Sequence, residues 1–131
     1  MNEVLIVEDN PLHAKLAAAV LTNAGYSVSL ADTAAEGVRL AIERKPALII
    51  MDIKLPDGNG LDVVRKLKAN DATSAIPVIA VTSYLDAQPT NEALAAGCAG
   101  FIAKPYHYTE LIEYVALLIK KAQGAPNPEN L

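Results

Sequence analysis

Four short apolar runs in this chain each stop at residues able to do chemistry. Val4-Leu-Ile-Val7 ends in Glu8-Asp9, and Ala47-Leu-Ile-Ile-Met51 ends in Asp52. Val78-Ile-Ala-Val81 ends in Thr82-Ser83, and Phe101-Ile-Ala103 ends in Lys104. Three carboxylates drawn together repel, and each resists ionising unless a cation offsets them. An all-oxygen donor set with room for water suits Mg²⁺, and Mn²⁺ could take its place. Beside such a metal, Lys104 would neutralise oxygens of a phosphoryl group and Thr82 would hydrogen-bond one of them. Asp52 would then be a carboxylate nucleophile, able to become an aspartyl phosphate. Each residue alone has a plainer reading, since aspartate at a strand end often only caps a turn and a lone lysine is usually a surface residue. Their shared place at the ends of apolar runs favours the chemical reading. The Lys104-Pro105 bond could be cis or trans.

Such residues meet only if the apolar runs lie side by side. Continuous runs of this length are strands of a parallel sheet buried on both faces. Asn10-Pro11 opens a first helix, with Leu12, Leu16, Ala19 and Val20 as its expected core stripe and Gly25 as its stop. Ser27-Val-Ser-Leu30 alternates with polar residues and reads as an edge strand. Thr33-Ala-Ala-Glu36 matches a capping box, and Val38, Ala41 and Ile42 are the expected inner face of a second helix. Gly37 should weaken that helix by about 1 kcal/mol relative to alanine. Pro56 to Gly60 reads as a turn, and Leu61, Val64 and Leu67 as the core side of a third helix. A fourth helix is expected from near Pro89 to Gly97, and a fifth from about Thr109 to Lys121 with Leu111, Val115 and Leu118 inside. Five strands alternating with five helices predict an α/β fold with right-handed crossovers. Sites in such sheets lie beyond the carboxyl ends of the strands.

The bulk composition agrees. A chain of 131 residues, 52% hydrophobic and 20% charged, is enough for one domain with a proper core. A net charge of −4 argues against a nonspecific nucleic-acid binder. Cys98 is the single cysteine, which rules out an internal disulfide and a cysteine-built zinc site and leaves a small buried filler. No apolar run approaches a membrane span, and Glu3, Glu8 and Asp9 stand where a signal peptide would avoid acids. A cytoplasmic protein is expected. His13 and His107 are expected at the surface, near helix starts and away from the strand-end site.

Val7-Glu8-Asp9-Asn10, Met51-Asp52-Ile-Lys-Leu-Pro56, Gly58-Asn-Gly60, Val81-Thr82-Ser83 and Phe101-Ile-Ala-Lys104-Pro105 occur in this order. Together they resemble the receiver domain of bacterial two-component response regulators. The resemblance implies a flavodoxin-like, doubly wound five-stranded parallel sheet in order 2-1-3-4-5 with five helices. The receiver would occupy residues 1–122, with 123–131 as a flexible tail. By the same resemblance Asp52 is the phosphoacceptor, Asp9 a direct Mg²⁺ ligand, and Glu8 a ligand through water. The third protein ligand is the backbone carbonyl of Lys54. Lys104 contacts the phosphoryl group, and Thr82 is the switch hydroxyl. Phe101 is the switch aromatic, where many members have tyrosine; the other reading of Phe101 is a core aromatic. Lys54 and Tyr84 would border the path of attacking water.

The implied function is a phosphorylation-activated switch rather than an enzyme. Its phosphoryl donor would be a histidine kinase or phosphotransfer protein. Its output would be altered binding of a protein through the surface of the fourth helix, fifth strand and fifth helix, with no direct nucleic-acid or membrane partner. The chain resembles stand-alone regulators of the chemotaxis and cell-division (DivK-like) type. The alternative is a receiver fragment whose tail is the root of a linker to an output domain. A Mg²⁺-dependent phosphohydrolase of the haloacid-dehalogenase type fits worse. It would carry its nucleophile on the first strand and a second aspartate two residues later, where this chain has Lys54.

Overall fold

Successive residues of a strand point to opposite faces of its sheet, so a strand buried on both faces must be apolar throughout. The computed structural model, which describes residues 2–83 and 89–124, puts that rule to use. Its elements run β1 (Glu3–Val7), α1 (Pro11–Asn23), β2 (Ser27–Ala31), α2 (Ala34–Arg44), β3 (Leu48–Asp52), β4 (Lys54–Leu55), β5 (Gly58–Asn59) and α3 (Gly60–Ala69). They continue with β6 (Val78–Ser83), α4 (Pro89–Ala96), β7 (Gly100–Lys104) and α5 (Tyr108–Ala122). The main sheet is parallel, in order β2-β1-β3-β6-β7, which is the expected 2-1-3-4-5 order. β4 and β5 form a separate two-residue antiparallel ribbon inside the turn that follows β3.

The strand side chains divide cleanly. Leu5, Val7, Ile49, Met51, Val78 and Ala80 pack with α2, α3 and α4 in one layer. Val4, Ile6, Leu48, Ile50, Ile79, Val81 and Ile102 pack with α1 and α5 in the other. Leu61, Val64 and Leu67 of α3 and Leu111, Val115 and Leu118 of α5 are buried as expected. β2 is the edge strand, and Cys98 is a buried filler.

Two helices turn a different face to the sheet from the one expected. In α1 the buried residues are Ala14, Ala17 and Leu21, while Leu12 is 62% exposed and Leu16 is 43% exposed. This helix carries alanine on several sides, so apolar spacing alone does not select a face, and the small side chains take the close approach to the sheet. In α2, Gly37 and Ala41 are buried, Val38 is half-buried and Ile42 is exposed. A Cβ on Gly37 would lie 3.1 Å from Val7 Cγ2. The glycine that weakens the helix lets it sit closely on β1.

The expected caps form at Asn10 and Thr33, with the Glu36 carboxylate of the expected capping box paired to Arg39, and there is one addition. Asn10 Oδ1 accepts from the N–H groups of Leu12 and His13, and Thr33 Oγ1 accepts from Glu36 N–H. The N-terminus of α2 also receives a distant cap. Asp57, in the turn after β3, accepts from Ala34 N–H at 2.6 Å and Ala35 N–H at 3.1 Å. That turn is anchored at its other end by Gly60, whose N–H donates to the Ile53 carbonyl at 2.7 Å. A Cβ on Gly60 would fall 2.1 Å from the Asp52 carbonyl oxygen, so only glycine fits there. Residues 125–131, most of the expected tail, lie outside the described residues.

Candidate functional site

The strand order sets which chain ends become neighbours. β1 and β6 flank β3, and β7 lies beyond β6. Asp52 is paired with Val81, and Ser83 with Lys104. Glu8 extends the β1–β2 ladder by one step, its N–H donating to the Ala31 carbonyl at 2.9 Å. One rim of the sheet therefore presents Glu8, Asp52, Thr82 and Lys104 side by side, with Asp9 above them.

Glu8, Asp9 and Asp52 each offer a carboxylate oxygen, and these oxygens lie within 4.8 Å of one another. The Lys104 ammonium donates to Glu8 Oε1 and lies 3.4 Å from Asp52 Oδ2. Asp52 Oδ1 accepts from the backbone N–H of Lys54 at 3.3 Å. Asn10 N–H donates to the second oxygen of Glu8 at 3.2 Å. These groups and Thr82 line a cleft of about 340 Å³. Glu8 and Thr82 are buried, Asp52 and Lys104 are half-buried, and Asp9 is exposed. The Lys104-Pro105 bond is cis.

The charges are unbalanced, and the protons show it. Burial, helped by the hydrogen bond with Glu8, pushes the Asp52 carboxyl up to about 6 against the pull of Lys104. Burial also opposes ionisation of Glu8, but hydrogen bonds from Asp52, Lys104 and the Asn10 backbone together hold its carboxyl below the usual range. Burial disfavours the Lys104 ammonium, yet Glu8 and Asp52 outweigh burial and raise its pKa. Lys104 alone cannot neutralise a buried, a half-buried and an exposed carboxylate, so Asp52 retains its proton more readily than a free aspartate. The donor set is all oxygen and short of positive charge, which fits a hard divalent cation.

His13 is exposed and in the first turn of α1, as expected, but it is not away from the site. Its Nδ1 lies 3.2 Å from Lys104 Nζ and 3.6 Å from Glu8 Oε1, in the cleft wall. The physical reason is the cap: Asn10 starts α1 directly after the acidic pair, so the first helical turn stands over the rim. His107 is exposed, at the N-cap of α5. Phe101 is 39% exposed, which removes the core-aromatic reading. Tyr84 lies outside the described residues. Sequence reasoning missed Tyr106, which lines a small void beneath Glu8 and Asp52 with Ile6, Ile50 and Val81. Burial pushes its phenol up to about 12. It also missed Asp57, because an aspartate in a Pro-Asp-Gly turn needs no distant partner to explain it.

A doubly wound sheet with carboxylates and a lysine gathered at its strand ends is a flavodoxin-like receiver module. Residues 4–116 match the response regulator receiver domain model, and the chain belongs to that family. It is 38% identical over 112 residues to the polar-differentiation response regulator DivK of Brucella anthropi, covering 86% of this chain and 91% of that one. A CheY-like receiver domain protein from Methanospirillum hungatei superposes with a TM-score of 0.89 at 27% identity, covering 96% of this chain and 99% of the other. The receiver domain of a Pseudomonas aeruginosa sensor histidine kinase superposes with a TM-score of 0.83 at 31% identity, covering 90% and 97%. That structure has a magnesium ion coordinated in its active site cleft. The present chain is a receiver domain of two-component signalling, and among its described residues no helix is long and apolar enough to cross a membrane.

Proposed function

We propose that Asp52 is the phosphoacceptor of this receiver. The observation that carries the reading is its setting: a half-buried carboxylate with two more carboxylates within 4.8 Å and an ammonium at 3.4 Å. A carboxylate oxygen of Asp52 would attack phosphorus as the bond from phosphorus to the histidine nitrogen of a kinase or phosphotransfer protein breaks. The imidazole leaves with the electron pair of that bond. The product is an acyl phosphate. Asp52 reacts only as the carboxylate, and a pKa of about 6 leaves it mostly ionised at neutral pH.

Glu8, Asp9, Asp52 and the backbone carbonyl of Lys54 would hold Mg²⁺, or Mn²⁺ in its place. The metal would supply positive charge to the phosphoryl oxygens. Lys104 would neutralise a further oxygen, and Thr82 would turn its hydroxyl toward the added phosphate. Phe101 is the aromatic whose rotamer would follow. Its exposure on β7 supports a state in which the ring is available to a partner. The readout surface would be α4, β7 and α5, engaged by a protein target. The receiver would span residues 1–122 and act in the cytoplasm, as a switch whose only chemistry is its own phosphorylation and dephosphorylation. The stand-alone form and the receiver portion of a longer regulator share this mechanism.

The test is incubation with acetyl phosphate in the presence of Mg²⁺. Wild type should acquire a hydroxylamine-labile phosphate and Asp52→Ala should not. Label that survives Asp52→Ala places the acceptor elsewhere.

A further inference from the structure

Lys104 has three ammonium protons and, among the described residues, three partners: Glu8 Oε1, Asp52 Oδ2 at 3.4 Å and His13 Nδ1 at 3.2 Å. The two carboxylates belong to the acidic site itself. The histidine does not, and nothing in that chemistry requires it. An ammonium can only donate, so Nδ1 accepts and the ring carries its proton on Nε2. His13 Nδ1 lies 3.6 Å from Glu8 Oε1, which leaves the lysine as its hydrogen-bond partner.

The histidine is itself held in place. Its backbone N–H donates to Asn10 Oδ1 at 3.2 Å, and Asn10 N–H donates to Glu8 Oε2 at 3.2 Å. The contacts close a ring, from Glu8 to Asn10 to His13 to Lys104 and back to Glu8. The side chain of His13 is 47% exposed, so this is no packed core histidine. His13 and Lys104 line both the acidic cleft and a neighbouring cavity of about 270 Å³ that Pro105, Tyr106 and Tyr108 complete. A lysine has four flexible torsions, and an ammonium with a free proton beside open space can swing away from its target.

Building on the assignment of Asp52 as acceptor, we infer that His13 is a positioning residue for phosphoryl transfer. It holds the third proton of Lys104, keeps the ammonium out of the adjoining cavity and aims it across Asp52.

The test compares His13→Leu, which removes the acceptor, with His13→Asn, whose Oδ1 can stand in for Nδ1. Asp52 labelling by acetyl phosphate is followed in the full chain with Mg²⁺. His13→Leu should lower the saturating rate about fivefold, the worth of one ordinary hydrogen bond, and His13→Asn should recover most of it. The half-saturating acetyl phosphate concentration should not change. In metal-free protein, the Lys104 Nζ proton signal should be protected from exchange in wild type and His13→Asn and lost in His13→Leu. A wild-type rate in His13→Leu overturns the inference, as does an equal loss in both variants or an unchanged Lys104 signal. If wild type takes up no label, the reading of Asp52 itself fails. Labelling of wild type with no effect of His13→Leu removes the histidine's role alone.

Discussion

Lys104 sits closer to Glu8 than to Asp52, with its ammonium hydrogen-bonded to the first and 3.4 Å from the second. The cation that would serve the phosphoryl group is thus stored on a neighbouring carboxylate. Asp52 bears the shortfall, with its pKa raised to about 6 while that of Glu8 is lowered.

Stability of the metal-free protein should therefore depend on pH in a particular direction. Asp52 has a higher pKa folded than unfolded, so the native state binds the extra proton and the contribution of this group falls as pH rises from about 4 to about 6. A carboxyl raised to about 6 sets a ceiling of about 3 kcal/mol. Glu8, with its lowered pKa, has the opposite sign, and its contribution is lost only as pH falls below the usual carboxylate range. Urea melts in chelator should show wild type losing stability between about pH 4 and about pH 6 relative to Asp52→Asn. Added Mg²⁺ should restore wild type at pH 7 and leave Asp52→Asn less affected. Parallel pH profiles for the two proteins would contradict this account.

Replacing Lys104 by alanine separates the two cationic roles. Metal binding should persist, because the ammonium is no ligand and its removal leaves the site more negative. Switching should fail, because nothing then ties the phosphoryl group to β7. Titration with Mn²⁺ by water-proton relaxation reads the first outcome, and binding of a signalling partner with and without beryllofluoride reads the second. Normal switching in Lys104→Ala would remove the lysine from the mechanism.

The cap from Asp57 to α2 should be visible in amide exchange. Asp57→Ala leaves the Ala34 and Ala35 N–H groups without their carboxylate, and both should exchange faster while the core of α3 is unchanged. The two N–H groups hold the Asp57 carboxyl below its usual range, so the cap is present at neutral pH and is lost as pH falls through that lowered value. Unchanged exchange at both positions would mean that the local Thr33 cap suffices.

Cys98 should be inert while the protein is folded. It is buried, and burial pushes its thiol up to about 11. At pH 8 the thiolate fraction should be about a hundredfold below that of an ordinary cysteine. Iodoacetamide should label it slowly in native protein and rapidly in urea. Equal rates would show a site open to solvent.

Much of this architecture was legible in the chain. Each central strand is a continuous apolar run that stops at its chemical residue, so Glu8, Asp9, Asp52, Thr82 and Lys104 could be placed on one rim before any coordinates. The misreadings have a common physical source. Alanine offers apolar surface without marking a face, so spacing points α1 toward Leu12 and Leu16, whereas Ala14, Ala17 and Leu21 do the packing. His13 is placed over the rim by the Asn10 cap, and its spacing gives no sign of the Lys104 it meets from the far end of the chain. Gly37 reads as a local weakness because the close contact with Val7 that favours it comes from a distant part of the chain. Asp57 carried a sufficient local explanation as a turn residue, and its distant partners leave no trace in spacing.

The carbonyl of Asp52 presses on the place where Gly60 would carry a side chain, at 2.1 Å from any Cβ. Every single-base change that replaces a glycine codon with another amino acid adds such a carbon. Position 60 thus has no mild neighbours in mutational space. Inherited variation there would strike the main chain of the central aspartate without touching any of its ligands.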